Sequence, residues 1–245
     1  LAGGTGTDTL TINAATVDAD FTNVTGIEKL TMNDAGNYTL GALAQAAGIT
    51  TVTAGTNNVA YVLSATGYTV ALTVDLKAQN TTGVVDTVKT GSGDDVVQVD
   101  STTGLEDGDV FALGTGTDTI QLDNSAAAVT VAYDADDHSG VESITIGDVN
   151  GSGTDADDQI TITIAADGST AANTFIVDAS NITDSRDDVI ITNSAASSLT
   201  SYTLTGGAGA DTLPGSSAAD TIDGGSGIDT IDADAGNDTV TGGAG

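Results

Sequence analysis

The chain has 245 residues, no cysteine, and 35 Asp plus Glu against 4 Lys plus Arg, for a formal net charge of −31. Without a basic patch to meet phosphates, a nucleic-acid partner is not expected, and an anionic membrane surface is disfavoured for the same reason. A disulfide framework is excluded, and no apolar run nears the ~18 residues that read as a membrane-spanning helix.

A compact domain with this imbalance repels itself unless cations neutralise it, and bound divalent ions do so best because they sit between carboxylates. The only cationic side chains are Lys29, Lys77, Lys89 and Arg186. Disorder is not the expected outcome, because 39% of the chain is apolar. Many of these residues are Val, Ile and Leu in short alternating runs. With 32 Gly, one Pro and 3% aromatics, the chain reads as many short strands joined by tight turns. It starts at Leu1 and stops at Gly245 inside a repeat, and is read as a segment of a longer protein.

The first turn signal is GGTGTDTLT at residues 3–11, followed by GIEKLTM at 26–32. The segment LGALAQAAG at 40–48 puts Leu40, Leu43, Ala44 and Ala47 on one face, with Gly48 as a stop. One or two helical turns are predicted there. VALTVDL at 70–76 alternates with period two, the mark of a strand with one buried face. Turn signals return as GSGDDVV at 91–97 and GTGTDTIQ at 114–121, and GVESITI follows at 140–146. The pair GTGTDTLTIN (4–13) and GIEKLTM is thus echoed by GTGTDTIQLD (114–123) and GVESITI. This predicts two related modules, 1–110 and 111–205, ahead of a compact array at 206–245.

His138, the only histidine, falls in an acidic stretch and reads as a solvated loop residue. With one His and no Cys, catalytic triads and tetrahedral zinc sites are hard to assemble. Paired carboxylates such as Asp94 with Asp95 read as calcium binding or plain solubility rather than glycosidase acid and base. In DVNGSGTD at 148–155, Asp148, Asn150 and Ser152 followed by Gly153 have the spacing of the first half of an EF-hand loop. Position twelve would be Gln159 rather than Glu, so Asp148 and Asn150 are calcium-ligand candidates without a true EF-hand. The competing reading is a Gly/Ser turn. ITITI at 160–164 is another alternating strand.

From Gly206 the sequence falls into nine-residue units: GGAGADTLP, GSSAADTID, GGSGIDTID and ADAGNDTVT, with a fifth beginning as GGAG at Gly242. Aspartate recurs at Asp211, Asp220, Asp229 and Asp238, and an aliphatic follows two residues later at Leu213, Ile222, Ile231 and Val240. This array resembles the RTX nonapeptide G-G-x-G-x-D-x-U-x, the calcium-binding parallel β-roll of bacterial proteins exported by type I secretion. The resemblance implies an all-β chain, a parallel β-helix or β-roll solenoid with calcium-binding nonapeptide turns. Ca²⁺ is the implied cofactor. Its implied ligands lie at Gly207, Gly209, Asp211, Asp220, Gly225, Gly227, Asp229, Asp234, Gly236 and Asp238, and in the isolated copies at Asp8, Asp95 and Asp118.

The physics of the unit agrees. Glycines allow positive φ in a tight turn, Asp supplies a hard anionic oxygen, and the aliphatic points inward from a short strand. Two units make one coil, so Asp211 is expected beside Asp229, and Asp220 beside Asp238. Like charges at strand spacing repel, and a cation between them removes the conflict. The second unit departs from the pattern at Ser216 and Ala218, and the fourth at Ala233 and Asp234. An isolated Asp can instead serve only backbone amides, a reading that weighs more at Asp8 and Asp118, which lack neighbouring copies in sequence. Coils of ~18–24 residues are expected.

Mixed with irregular β-helix, such repeats look like bacterial surface-layer proteins of the RTX type. That implies a self-assembling, calcium-dependent extracellular coat or filament subunit at the cell surface, a homo-oligomer or polymer, and no enzyme. Two alternatives are an RTX adhesin or biofilm-matrix binding module, and the non-catalytic RTX segment of a secreted enzyme.

Overall fold

The structure, a computed structural model, describes residues 1–57, 59–78, 84–100, 108–124, 128–133, 138–148, 159–164, 174–193 and 201–245. The chain divides into two compact units. One comprises Leu1–Ile120 with Asp137–Val141, the other Gln121–Asp136 with Glu142–Gly245.

In the first unit the strands are β1 (Thr9–Ile12), β2 (Lys29–Met32), β3 (Gly36–Thr39), β4 (Thr51–Ala54), β5 (Tyr61–Ser64), β6 (Thr73–Asp75), β7 (Thr87–Lys89), β8 (Val96–Asp100) and β9 (Val110–Ala112). β10 (Thr119–Asn124) runs across the boundary between the units. The second unit holds β11 (Ala128–Tyr133), and β12 (His138–Ser139) belongs to the first. There follow β13 (Ser143–Asp148), β14 (Gln159–Ile164), β15 (Thr174–Asp178), β16 (Asp188–Asn193), β17 (Ser201–Thr205), β18 (Thr212–Pro214), β19 (Thr221–Asp223), β20 (Thr230–Asp232) and β21 (Thr239–Thr241).

Each unit is a parallel β-solenoid. In the first, one sheet runs β1-β2-β4-β6-β8 and the other β3-β5-β7-β9-β12. In the second, the runs are β13-β15-β17-β19-β21 and β11-β14-β16-β18-β20. Period-two alternation explains this. Each strand presents alternate side chains inward, and each coil places them above those of the coil before. Leu30, Val52, Val74 and Val97 form one such column, all at 0% exposure. Ile144, Val177, Leu204 and Ile222 form another in the second unit, at 0–1%. Burying each aliphatic stabilises by roughly 1.5–3 kcal/mol.

Coil length is where the chain departs most from the sequence-based expectation. In the first unit Thr9 pairs with Lys29, Lys29 with Thr51, and Thr51 with Thr73, within the expected range, while Gly36 pairs with Tyr61 and Phe111 with His138, just beyond it. In the second unit Ser143 pairs with Ile176 and Ala128 with Gln159, coils well beyond that range. Past β17 the coil shortens and becomes constant, as in Thr203 with Thr221 and Thr212 with Thr230. Strands lengthen only from two to five residues within the first unit to five or six in the long coils of the second, so most of the extra residues sit in the connections.

The predicted helix is α1 (Ala42–Ala47), ended by Gly48 at φ 106°. Ala44 and Ala47 are buried, but Leu43 is 41% exposed. Its first amides are capped across the coil by Asp18, which accepts from Gly41, Leu43 and Ala44 N–H at 2.8, 3.1 and 2.9 Å. Burial raises the Asp18 pKa, but those three hydrogen bonds outweigh it and hold the carboxyl below its usual value. His138 is no loop residue. It lies in β12 on the Phe111 position of β9, 2% exposed, its ring 5.4 Å from the Phe111 ring in an edge-on arrangement. It tops an inward column of Tyr38, Leu63, Val88 and Phe111. The Asn150 candidate and the Asp148 side chain lie outside the described residues.

Candidate calcium-binding turns

One device recurs at most of the aspartates that immediately precede a strand. Its carboxylate turns back along the solenoid and accepts a backbone N–H from the preceding coil. In the array Asp211 Oδ1 takes Val189 N–H at 2.7 Å, and Asp229 Oδ1 takes the N–H of Asp211 itself at 3.0 Å. On the opposite edge Asp220 Oδ1 takes Tyr202 N–H at 2.6 Å and Asp238 Oδ1 takes Asp220 N–H at 3.0 Å. Asp211 thus stacks with Asp229 and Asp220 with Asp238, each pair 18 residues apart.

The isolated copies also find neighbours. Asp95 Oδ1 accepts Leu72 N–H and Asp118 Oδ1 accepts Asp95 N–H, both at 2.8 Å. Asp118 therefore has a stacked partner 23 residues earlier, which nine-residue periodicity does not reveal. Asp8 is different: its own N–H donates to Glu28 Oε2 at 2.9 Å, so a glutamate occupies the next coil's place. Sequence reading missed two members. Asp86 Oδ1 accepts Tyr61 N–H and Asp109 Oδ1 accepts Asp86 N–H, both at 2.8 Å, with Asp86 and Asp109 5% and 3% exposed. No glycine pair marks them. The available signal is an Asp two residues before an inward apolar residue, Val88 or Phe111.

The turns before these aspartates are built on stacked glycines. A Cβ on Gly225 would run into Gly207 O, one on Gly227 into Gly209 O, and one on Gly236 into Ala218 O. Gly225 and Gly227 also take φ of 88° and 123°, which L side chains rarely adopt. Where the fourth unit lacks the second glycine, Asp234 takes the left-handed conformation at φ 58°. Its N–H donates to Asp232 Oδ1 at 3.2 Å, as Gly225 N–H donates to Asp223 Oδ1 at 3.1 Å. Asp is one of the few residues that tolerate this region.

These turns come in two forms. In the closed form the N–H four residues before the Asp donates to its Oδ2. Gly4 does so to Asp8, Gly207 to Asp211 and Ser216 to Asp220, at 2.7, 2.7 and 2.6 Å. Asp220 is the most completely served, because the buried Ser216 hydroxyl adds a bond to its Oδ1 at 3.0 Å. In the open form that donation is absent. Gly225 N–H has turned to Asp223, and Asp229 Oδ2 is buried with no hydrogen-bond partner. A buried, unmet carboxylate oxygen is costly. Two unit charges a strand spacing apart, ~4.8 Å, add roughly 3–4 kcal/mol of repulsion at an effective dielectric near 20. Burial, with the charges of Asp229 and Asp188, pushes the Asp211 pKa up against the Val189 and Gly207 amide bonds.

The residues fit a hard cation. The donors are carboxylate and backbone carbonyl oxygens, the set that suits Ca²⁺ rather than zinc. Among the described residues no group of three or more His, Cys, Asp or Glu converges, so turn carbonyls would have to complete the shell. Residues 203–245 carry seven aspartates and no basic side chain, leaving no internal cation to neutralise the stack.

The fold and turns define a parallel β-solenoid whose acidic turns call for a divalent cation. The family of RTX calcium-binding nonapeptide repeats (4 copies) matches at residues 203–231 and 214–245. Residues 203–245 of this chain are thus RTX-type calcium-binding β-roll repeats, and calcium is the cofactor of those repeats. The repeat is a structural, non-catalytic type. No curated protein and no solved structure matches the chain. Among the described residues no helix is long and apolar enough to cross a membrane.

Proposed function

We propose that the chain is a structural, calcium-conditioned extracellular protein that self-assembles into a surface layer or filament on bacterial cells and carries no catalysis. The observation that supports this best is the in-register nonapeptide array. Its aspartates stack every 18 residues, and at Asp229 an oxygen is left unmet by the protein. A chain with net charge −31 resists compaction where calcium is scarce, and folds where calcium is abundant outside the cell. In this reading Gly207, Gly209, Gly225 and Gly227 supply turn carbonyls, and Asp211 and Asp229 supply carboxylates on one edge. Asp220, Asp234, Gly236 and Asp238 play the corresponding parts on the other.

Circular dichroism and electron microscopy with calcium or EGTA test this directly. The expected result is an ordered polymer and full β content in calcium, both diminished by chelation. Unchanged β content, with no ordered assembly in calcium, would overturn it.

A further inference from the structure

We propose that the outward face of the sheet β3-β5-β7-β9-β12 is a docking surface for a second copy of this chain, which meets it with a carboxylate-bearing sheet face. It rests on the self-assembly reading and gives that reading its contact surface.

The face is set apart by charge. Its five strands contain no Asp or Glu. Every other run of strands contains at least two: Asp75 and Asp100 in β1-β2-β4-β6-β8, Asp178 and Asp223 in β13-β15-β17-β19-β21, and Asp188 and Asp232 in β11-β14-β16-β18-β20. None of those six residues is buried. The aspartates that lead into β7 and β9 do not supply the missing charge at the rim. Asp86 and Asp109 are 5% and 3% exposed and accept the N–H groups of Tyr61 and Asp86.

Strand alternation orders the rest of the face. With Tyr38, Leu63, Val88 and Phe111 inward, the residues between them point out. One outward row holds Val62, Thr87 and Val110, the next Thr39, Ser64 and Lys89. Val62 is 39% exposed, and Val85 at the rim is 47% exposed. Lys89 is exposed and, among the described residues, forms no ion pair. Its own sheet offers no counterion. Its complement is an acidic face, and a second copy supplies one.

Two copies of a chain with net charge −31 repel over most of their surface. The repulsion is smallest where one partner presents no carboxylate, and it turns to attraction where Lys89 meets one. Both faces repeat at the strand spacing of ~4.8 Å, so their rows lie against each other at one period. A face of five coils is ~20 Å tall and ~10 Å wide, far below the ~800 Å² per partner that holds a free pair together. Such a contact holds in a polymer, where every copy is engaged on two different faces. Because the two surfaces differ, the contact is heterologous and propagates instead of closing on a pair.

The test uses the full chain in calcium, with polymer measured by sedimentation and electron microscopy and the fold by circular dichroism. Lys89→Glu and Thr39→Glu change exposed residues of the face, and Ala46→Glu adds a charge to the exposed side of α1, away from every sheet face. Lys89→Glu and the Lys89→Glu/Thr39→Glu double variant are expected to need about tenfold more protein to form polymer. Their circular dichroism and calcium-induced melting rise stay as in wild type, as does polymer formation by Ala46→Glu. Thr39→Glu alone serves if Lys89→Glu fails to fold. The double variant keeps its acidic faces, so a small fraction mixed into wild type adds to growing ends and shortens the polymers. Polymer from the double variant at the wild-type concentration would overturn the docking face. So would mixtures with polymers of undiminished length, which would mean a like-to-like contact, and an equal loss in Ala46→Glu, which would mean that added charge anywhere suffices. A wild-type chain that forms no polymer in calcium would overturn the self-assembly reading itself, and this face with it.

Discussion

The C-terminal array and the coils before it solve the same problem with different means. In the array each coil takes 18 residues, and β18 to β21 are short strands with one inward aliphatic position each. No aromatic follows Tyr202. The core there thins out: Leu213 and Ile222 are buried, but Val240 is 49% exposed. In the first unit the coils are longer, as in Gly36 paired with Tyr61, and enclose Tyr38, Tyr61, Tyr68, Phe21 and Phe111 at 0–2% exposure. The wider coil has room for an aromatic core and the tight coil does not. Stability in the array must therefore come from its turns, where glycine stacking and aspartate charge meet. That contrast explains why the array is both the most regular part and the part most in need of cations.

The contrast breaks most visibly at a turn glycine. Gly227→Ala would force a Cβ into Gly209 O at φ 123°, and a loss of about 3 kcal/mol or more is expected, confined to the array. Hydrogen exchange would show amides of β18 to β21 losing protection while β2, β4 and β6 keep theirs. Uniform loss across both units would mean that they do not differ in this way.

A second comparison concerns charge without glycines. Asp86 is pushed up to about 6 by burial and by the Asp109 charge, against the Tyr61 N–H bond. Its folded pKa lies above the unfolded value, so the folded state binds the extra proton between about pH 4 and 6. Stability contributed by that proton is present at about pH 4 and is lost as pH rises through about 6. The effect is on the order of 2–3 kcal/mol. Asp86→Asn is expected to flatten this part of the pH profile in denaturant titrations, in calcium-free buffer. An unchanged slope would show that Asp86 ionises normally in the fold.

The smallest effect sharpens the difference between the two edges of the array. Ser216→Ala removes the hydroxyl bonds to Asp220 Oδ1 and from Ala218 N–H, and is expected to cost about 1 kcal/mol in EGTA. Because Asp220 then keeps only its backbone donors, the N–H groups of Tyr202 and of residue 216, the calcium-induced rise in melting temperature should grow relative to wild type. An equal rise in both proteins would show that Ser216 does not stand in for a cation.

Much of the array was legible from residue spacing alone. The nonapeptide period predicts the two-unit coil, the stacking of Asp211 on Asp229 and Asp220 on Asp238, and the inward Leu213 and Ile222. All of these follow from local rules: glycine in turns, Asp before a strand, alternation within it. The helix end at Gly48 followed from the same kind of rule. Tertiary structure alone decided that Asp95 lies on Asp118, that Asp86 and Asp109 form a ladder without glycines, and that His138 tops an apolar column instead of facing water. In a parallel solenoid the partner of each residue lies a whole coil away, at a distance set by the length of the connections between strands. Where the repeat is strict, that length is written in the sequence. Where one coil carries Thr9 to Lys29 and another carries Ser143 to Ile176, only the packed coils reveal which carboxylates meet.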